Sequence, residues 1–442
     1  MPRFHTDPIR PGMLDRCAPG HTLARLTGAT LALLGATGGP LAAQGLPTPE
    51  VFRRHSSAVV KIEVTELASA AKTSAGSGFF IGPHGQVVTN YHVIADLVGQ
   101  PGRYRADVID ASGEKIAGRV VRLNVVHDLA LLETGRAPEQ YLSLSQSEVQ
   151  KGLRLYALGH PADLGLSIVE GTYNGLLEHT LYNRIHFTGS LDPGMSGGPA
   201  ITESGAVVGV NVSTAGNQLS FLVPASRVQT LLEEDESRET ADSAHFAAVI
   251  EAQLREHQER YFNRILQDTL PTVEIEGYRV PTRPADFFNC WGDVVSTPTD
   301  PYEMRTHECS TDDYIYISPD HSSGTFRIEH TVLGSEDLNV YRFFALYSTE
   351  FQSSGRYLSG RESDVTEFRC ETRNVQRGPL RLRSSFCARA YRKYRDLYDV
   401  MFRLAALGDR RRGLVSAVTM TGIGFENAQR FLDLYLRSLA WE

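Results

Sequence analysis

From about residue 46 to 232, apolar and polar positions alternate in runs too short for helices. Strand-like runs over 58–64, 76–82, 86–90, 104–110, 115–123 and 129–132 form a first set. Turns such as Gly82-Pro83-His84-Gly85 and Ala111-Ser112-Gly113-Glu114 separate them. A second set starts at 153–159 and continues through 167–177, 184–188, 206–212 and 219–223. Short strands at this spacing, broken by Gly and Pro turns, predict barrels or a sandwich, and the two sets fit an all-β double six-stranded barrel with a cleft between its halves.

The pattern changes after Leu232. Residues 233–242 are acidic and polar, which suits a linker or a frayed helix. Phe246, Ile250, Leu254, Tyr261, Phe262 and Ile265 then recur at helical spacing and predict an amphipathic helix over 244–266. Three clear heptads are missing, so the stripe is expected to dock on a domain rather than form a coiled coil. Residues 271–442 read as an α+β domain. It has strands near 314–318, 325–329 and 341–346 and helices near 388–407 and 426–439. The resulting division is 1–43, 46–232, 233–270 and 271–442.

The first of these segments is expected to be a signal peptide. Arg10, Arg16 and Arg25 precede an apolar run over 26–36, and small residues follow to Ala42-Ala43, where cleavage is expected. Met13 is an alternative start. With a net charge of −8 over 442 residues there is no basic footprint for nucleic acid. No later segment offers the roughly 20 unbroken apolar residues of a spanning helix. Cys17 leaves with the signal, and Cys290, Cys309, Cys370 and Cys387 remain. Four cysteines in an exported chain predict two disulfides in one of three connectivities, of which the local pairs Cys290–Cys309 and Cys370–Cys387 are favoured. A structural zinc site is the rival, but the spacings are far longer than its usual ligand motifs.

Against this frame one stretch carries candidate chemistry. Asp192-Pro193-Gly194-Met195-Ser196-Gly197-Gly198-Pro199 sets a serine on a glycine-flanked turn between strands. A nucleophilic serine needs such a turn, a neighbouring base, and amides aimed at the developing oxyanion. Thr89-Asn90-Tyr91-His92-Val93 ends a strand and begins a helical turn, which offers His92 as the base. In Asn124-Val125-Val126-His127-Asp128-Leu129, Asp128 supplies the carboxylate that would fix the imidazole tautomer. The order His, Asp, Ser is that of the chymotrypsin-type triad. The other candidates fit less well. His84 reads as a surface histidine and His160 as a loop contact, while His127 points away from the site on an extended chain. Ser145 and Ser147 lack glycine neighbours.

Over residues 55–232 the chain resembles trypsin-like serine peptidases of the HtrA/Deg type. The matching pieces are Gly76-Ser77-Gly78-Phe79, Thr89-Asn90-Tyr91-His92-Val93, Asp128-Leu129-Ala130-Leu131, Ala157-Leu158-Gly159-His160-Pro161, Gly194-Met195-Ser196-Gly197-Gly198-Pro199 and Ser220-Phe221-Leu222-Val223-Pro224. The resemblance implies a chymotrypsin-like fold and a serine endopeptidase that needs neither metal nor cofactor. His92 would be its base, Asp128 the orienter and Ser196 the nucleophile, with the amides of Gly194 and Ser196 as the oxyanion hole. Protein or peptide substrates would be bound by Ser190, Val212, Ser213 and Thr214, in a periplasmic or secreted setting.

Three departures matter. Met195 stands where digestive relatives carry the aspartate of zymogen activation, so no such switch is expected. Ser190, rather than an acid, lies at the base of the specificity pocket, and a small or apolar P1 side chain is expected. Val212 replaces a hydroxyl common beside the triad carboxylate. Family members often add PDZ domains. Gly422-Ile423-Gly424-Phe425 is similar to their carboxylate-binding loop, but too little chain follows it for the remaining strands, so no PDZ domain is expected. The alternative function is an inactive protease-fold binding or sensing protein that acts through its C-terminal domain.

Overall fold

The computed structural model describes residues 45–216, 218–233, 243–266, 269–296, 299–311, 313–355 and 358–441. The expected signal peptide and most of the acidic stretch after Leu232 lie outside the described residues. A short helix α1 (Thr48–His55) leads into β1 (Val59–Glu66), β2 (Lys72–Ile81) and β3 (Gln86–Thr89). Helix α2 (Tyr91–Gly99) follows, then β4 (Tyr104–Ile109), β5 (Lys115–Asn124) and β6 (Leu129–Glu133). These six strands close a barrel in the order β1-β2-β3-β6-β5-β4.

The second barrel is built from β7 (Ser143–Leu144), β8 (Arg154–Gly159), β9 (Ser167–Leu176), β10 (Ile185–Phe187), β11 (Pro199–Ile201), β12 (Ala206–Thr214) and β13 (Ser220–Pro224). Six of them close in the order β11-β8-β9-β10-β13-β12 through the β11–β12 pairing, and β7 adds to β12 in parallel. The double six-stranded barrel expected from the strand pattern is therefore present.

Beyond it come α3 (Ala225–Glu233), α4 (Ser243–Ile265) and a small sheet of β14 (Thr272–Ile275), β15 (Tyr278–Pro281) and the terminal β25 (Ala440–Trp441). A larger sheet contains β16 (Asn289–Val295), β17 (Glu303–Ser310), β20 (Phe326–Gly334), β21 (Arg369–Arg377), β22 (Leu380–Ala390), β23 (Tyr398–Leu407) and β24 (Arg412–Ile423). Its strand order is β16-β17-β20-β24-β23-β22-β21. A hairpin, β18 (Ile315–Ser318) and β19 (His321–Ser323), stands apart from it. Even-numbered residues such as Ile328, Phe402 and Val418 face α4 and helix α6 (Phe425–Arg437). Odd-numbered Leu333, Ala405 and Val415 face helix α5 (Val340–Ser353).

That two-sided burial explains one correction. Residues 388–407, expected to be a helix, instead form the end of β22 and all of β23. A strand covered on both faces loses its period-2 alternation and reads like a buried helix. The opposite error occurs at 341–346, expected to be a strand and found in α5. There the signal was the cap: Asn339 Oδ1 accepts the Arg342 N–H at 3.0 Å.

The four cysteines pair locally. Cys290 faces Cys309 and Cys370 faces Cys387 in register, and each pair is joined by a disulfide across Cα separations of 4.1 and 4.0 Å. Each bond ties an outer strand of the large sheet to its neighbour. His307 lies 3.5 Å from Cys309 Sγ, but with both sulfurs in the disulfide this trio has no thiolate to offer a metal.

Helix α4 docks on two cores with one stripe. Its first half, through Phe246, Ile250 and Leu254, joins the core of the first barrel together with Ile315, Ile317, Tyr391 and Tyr394. Its second half, through Tyr261, Phe262 and Ile265, joins the core of the large sheet. The barrel and the C-terminal region thus share continuous apolar packing. A single cooperative calorimetric transition is expected. Ile250→Ala should cost about 2–5 kcal/mol by denaturant titration. Two separate transitions in the wild type would contradict the shared core.

Candidate active site

Thr89 ends β3, Asn90 follows in extended backbone (φ −84°, ψ 149°), and α2 begins at Tyr91. His92 therefore sits in the first turn of a helix, where backbone N–H groups lack intrahelical acceptors. Asn90 is the residue type that commonly caps such a turn, yet its side chain makes no cap bond. Its Nδ2 donates instead to the carbonyl of Asp128 at 2.8 Å. Asp128 takes over the cap: Oδ1 accepts the His92 backbone N–H (2.9 Å), and Oδ2 accepts His92 Nδ1–H (2.7 Å).

Asp128 reaches this position through a left-handed backbone (φ +56°) and is buried. Gln253 of α4 brackets the chain leading to it, donating to Leu123 O and accepting from Val125 N, both at 2.8 Å. The electrostatics of His92 follow. Burial works against a charged ring, but the charge of Asp128 and the hydrogen bond to it outweigh burial, while Arg184 opposes them. The His92 pKa stands above the ordinary histidine value.

The turn bearing Ser196 is held from both barrels. A Cβ on Gly194 (φ +98°) would lie 2.5 Å from His160 O, and one on Gly197 (φ +86°) would lie 2.2 Å from Ser77 O. Both positions exclude a side chain by conformation and by space. The same Cβ on Gly197 would stand 3.0 Å from Asn90 N, so the serine turn abuts the segment that carries His92. Ser77, fully buried, ties the turn down. Its N–H donates to Ser196 O (2.8 Å), and its Oγ donates to Gly194 O (2.7 Å) and accepts from His160 N (2.8 Å).

Asn211 Nδ2 adds bonds to Leu158 O (3.0 Å) and Met195 O (3.3 Å). The Pro193 carbonyl accepts from Ala162 N at 3.0 Å. A trans peptide points its C=O and N–H in opposite directions, so the Gly194 N–H is turned away from the 160–163 loop. The Ser196 hydroxyl donates to Val212 O at 3.3 Å.

A family model described as a trypsin-like peptidase domain matches residues 76–210, a span that contains His92, Asp128 and Ser196. Over that span the chain is similar to trypsin-like peptidase domains, and the relatives it matches are HtrA- and DegP-like proteases. It is 30% identical to the mitochondrial serine protease HTRA2 of Bos taurus over 203 residues, which cover 43% of each chain. A probable periplasmic serine endoprotease, DegP-like, from Chlamydia pneumoniae is 29% identical over 36% of this chain and 34% of its own. A serine endoprotease structure from Yersinia pestis aligns with TM-score 0.37 and 23% identity, covering 43% of this chain and 67% of that one. The chain thus spans about half the length or less of these two curated relatives.

Within the peptidase domain, the residues expected to bind substrate fall into two groups. Val212, Ser213 and Thr214 end β12, where Ser213 and Thr214 pair with β13 on one side; the other edge has no partner strand among the described residues. Ser190 is exposed, and its Oγ accepts from Gln218 N at 3.4 Å. Met195 is buried in the second barrel's core. Val212 offers no hydroxyl, and Asp128 accepts the His92 backbone N–H.

The extended-chain view of His127 does not hold, since residues 125–128 form a turn. Burial, then Arg227 and Arg184, push the His127 pKa down to about 3. Ser77, Asn90 and Asn211 gained no role from the sequence, although the first two lie inside matching motifs. Gln253 had no local signal at all.

Replacing Asp128 with Asn should remove the charge that raises the His92 pKa and leave burial in control. The imidazole, followed by NMR titration, is expected to fall below the ordinary histidine value. An unchanged titration would show that Asp128 does not set it.

Proposed function

We propose that this chain is an exported serine endopeptidase acting on unfolded or envelope proteins. The observation that carries the reading is the His92–Asp128 pair, built into the first turn of α2 and set against the glycine turn of Ser196. The relatives' printed names support peptidase chemistry, and the DegP-like relative's supports a periplasmic setting. In this reading residues 1–43 are removed, 46–232 are the peptidase domain, 233–270 connect it, and 271–442 form the C-terminal domain.

The reaction needs only this chain's residues and water. Rotation of the Ser196 hydroxyl from Val212 O toward His92 Nε2 brings it to its base, a contact that commonly tightens on substrate binding. Ser196 Oγ attacks the peptide carbonyl while His92 takes its proton, and Asp128 stabilises the resulting imidazolium. The Gly194 and Ser196 amides receive the negative charge of the tetrahedral intermediate. His92 then protonates the leaving amine, and water, deprotonated by the same ring, releases the acyl group. Substrate backbone adds as a strand to the free edge at Val212–Thr214. With Ser190 in place of an acid, a small or apolar P1 side chain is favoured.

A fluorophosphonate probe tests the reading. Wild type should label and Ser196→Ala should not; a folded, unlabelled wild type would favour the inactive binding protein. The pH profile gives a second check. The base must be neutral, so kcat/KM should fall as pH drops through the His92 value, with its acid limb above the ordinary histidine pKa of about 6.5. An acid limb below that value would remove His92 from the role.

A further inference from the structure

The hairpin β18–β19 belongs to the C-terminal region, yet it lies against the helix that carries His92. The Tyr316 ring stands edge-to-face to the His92 ring, with centroids 5.8 Å apart and an interplanar angle of 62°. It also meets Tyr91 at 6.4 Å. The contact is not a loose one. Tyr91 Oη donates to Ile317 O at 3.3 Å. Ile315 and Ile317 are buried in the first barrel's core on either side of Tyr316. Tyr316, between them, is half-buried and packs against the edge of the same core.

The turn end of the hairpin is fixed as well. Ser318 Oγ donates to Asp364 (2.9 Å), which also pairs with Lys393 (3.0 Å). At the other end, Gly324 packs so closely that a Cβ there would lie 2.7 Å from Tyr182 Oη of the second barrel. The hairpin therefore reaches from α2 in one barrel to the loop before β10 in the other. Tyr316 remains partly exposed. Burial, then the carboxylates of Asp96 and Asp128, push its hydroxyl up and keep it neutral.

We propose that Tyr316 is a specificity-determining wall of the peptidase cleft, supplied from outside the peptidase domain, against which the substrate side chain just before P1 packs. The proposal rests on the peptidase reading above. A substrate strand added at Val212–Thr214 alternates its side chains. With P1 directed to the Ser190 side, the preceding side chain points to the opposite face, toward the first barrel. There His92 and Tyr316 present adjoining ring surfaces. An aromatic wall of this kind rewards an apolar side chain over a small one, by about tenfold for a few methylenes.

The test uses the full-length chain and two peptides that differ only in the residue before P1, Leu or Ala. Wild type should favour Leu by about tenfold in kcat/KM. Tyr316→Ala should bring the ratio near unity, chiefly through KM of the Leu peptide, and Tyr316→Phe should restore it. Tyr316→Leu, which keeps apolar volume in case the alanine variant misfolds, should give an intermediate ratio. Fluorophosphonate labelling in parallel separates the two readings. If variants label normally but the ratio does not move, or both peptides lose equally, the wall assignment is overturned and the peptidase reading stands. If folded wild type does not label, both are overturned.

Discussion

Helix α2 is the constraint on which the site depends. Five of the six residues from Val93 to Val98 are buried, and its neighbours come from every part of the fold: the first barrel around it, α4 along it, and the β18–β19 hairpin over it. Its N-terminus is not served by Asn90, whose Nδ2 donates instead to the Asp128 carbonyl. The open N–H of His92 therefore draws the Asp128 carboxylate to the helix end, where the partial positive charge of the helix also favours an anion. One ionised group thus caps the helix, orients the imidazole and raises its pKa. The left-handed turn at Asp128 is the local cost of that arrangement, about 1–3 kcal/mol for a strained non-glycine residue. Hydrogen bonds from Asn90 and Gln253 hold the turn in place.

The fold of the first half was legible because its barrel strands are short, half-buried and punctuated by Gly and Pro turns. The elements of the site were legible for a different reason. Glycines at 194 and 197 and the order of His92, Asp128 and Ser196 are local signals of backbone geometry. What escaped is what has no local signature. Ser77 and Gln253 act through backbone atoms far away in the chain, and any small polar residue looks the same until its partner is known. The strand at 398–407 escaped because burial on both faces erased its period, and α5 because its aromatic run outweighed a single capping asparagine.

The His92–Asp128 pair also ties protonation to folding. A histidine whose folded pKa exceeds its unfolded value adds stability that is fully present below about pH 6.5 and lost as pH rises through the folded value. The ring that takes a proton from a serine must be the neutral one. In the proposed reaction the site would therefore work in the pH range where this pair contributes least to holding the fold. The shared apolar packing of α2, α4 and the hairpin does not depend on pH and carries the structure there.

Both disulfides lie between an outer strand and its neighbour, one at each end of the seven-stranded sheet. Outer strands are where a sheet frays first, because half of their backbone groups lack a partner. A frayed strand is an extended, accessible chain, the form that a protease cleft accepts as an added strand. Covalent closure of the two edges keeps both outer strands of this sheet from fraying into that form.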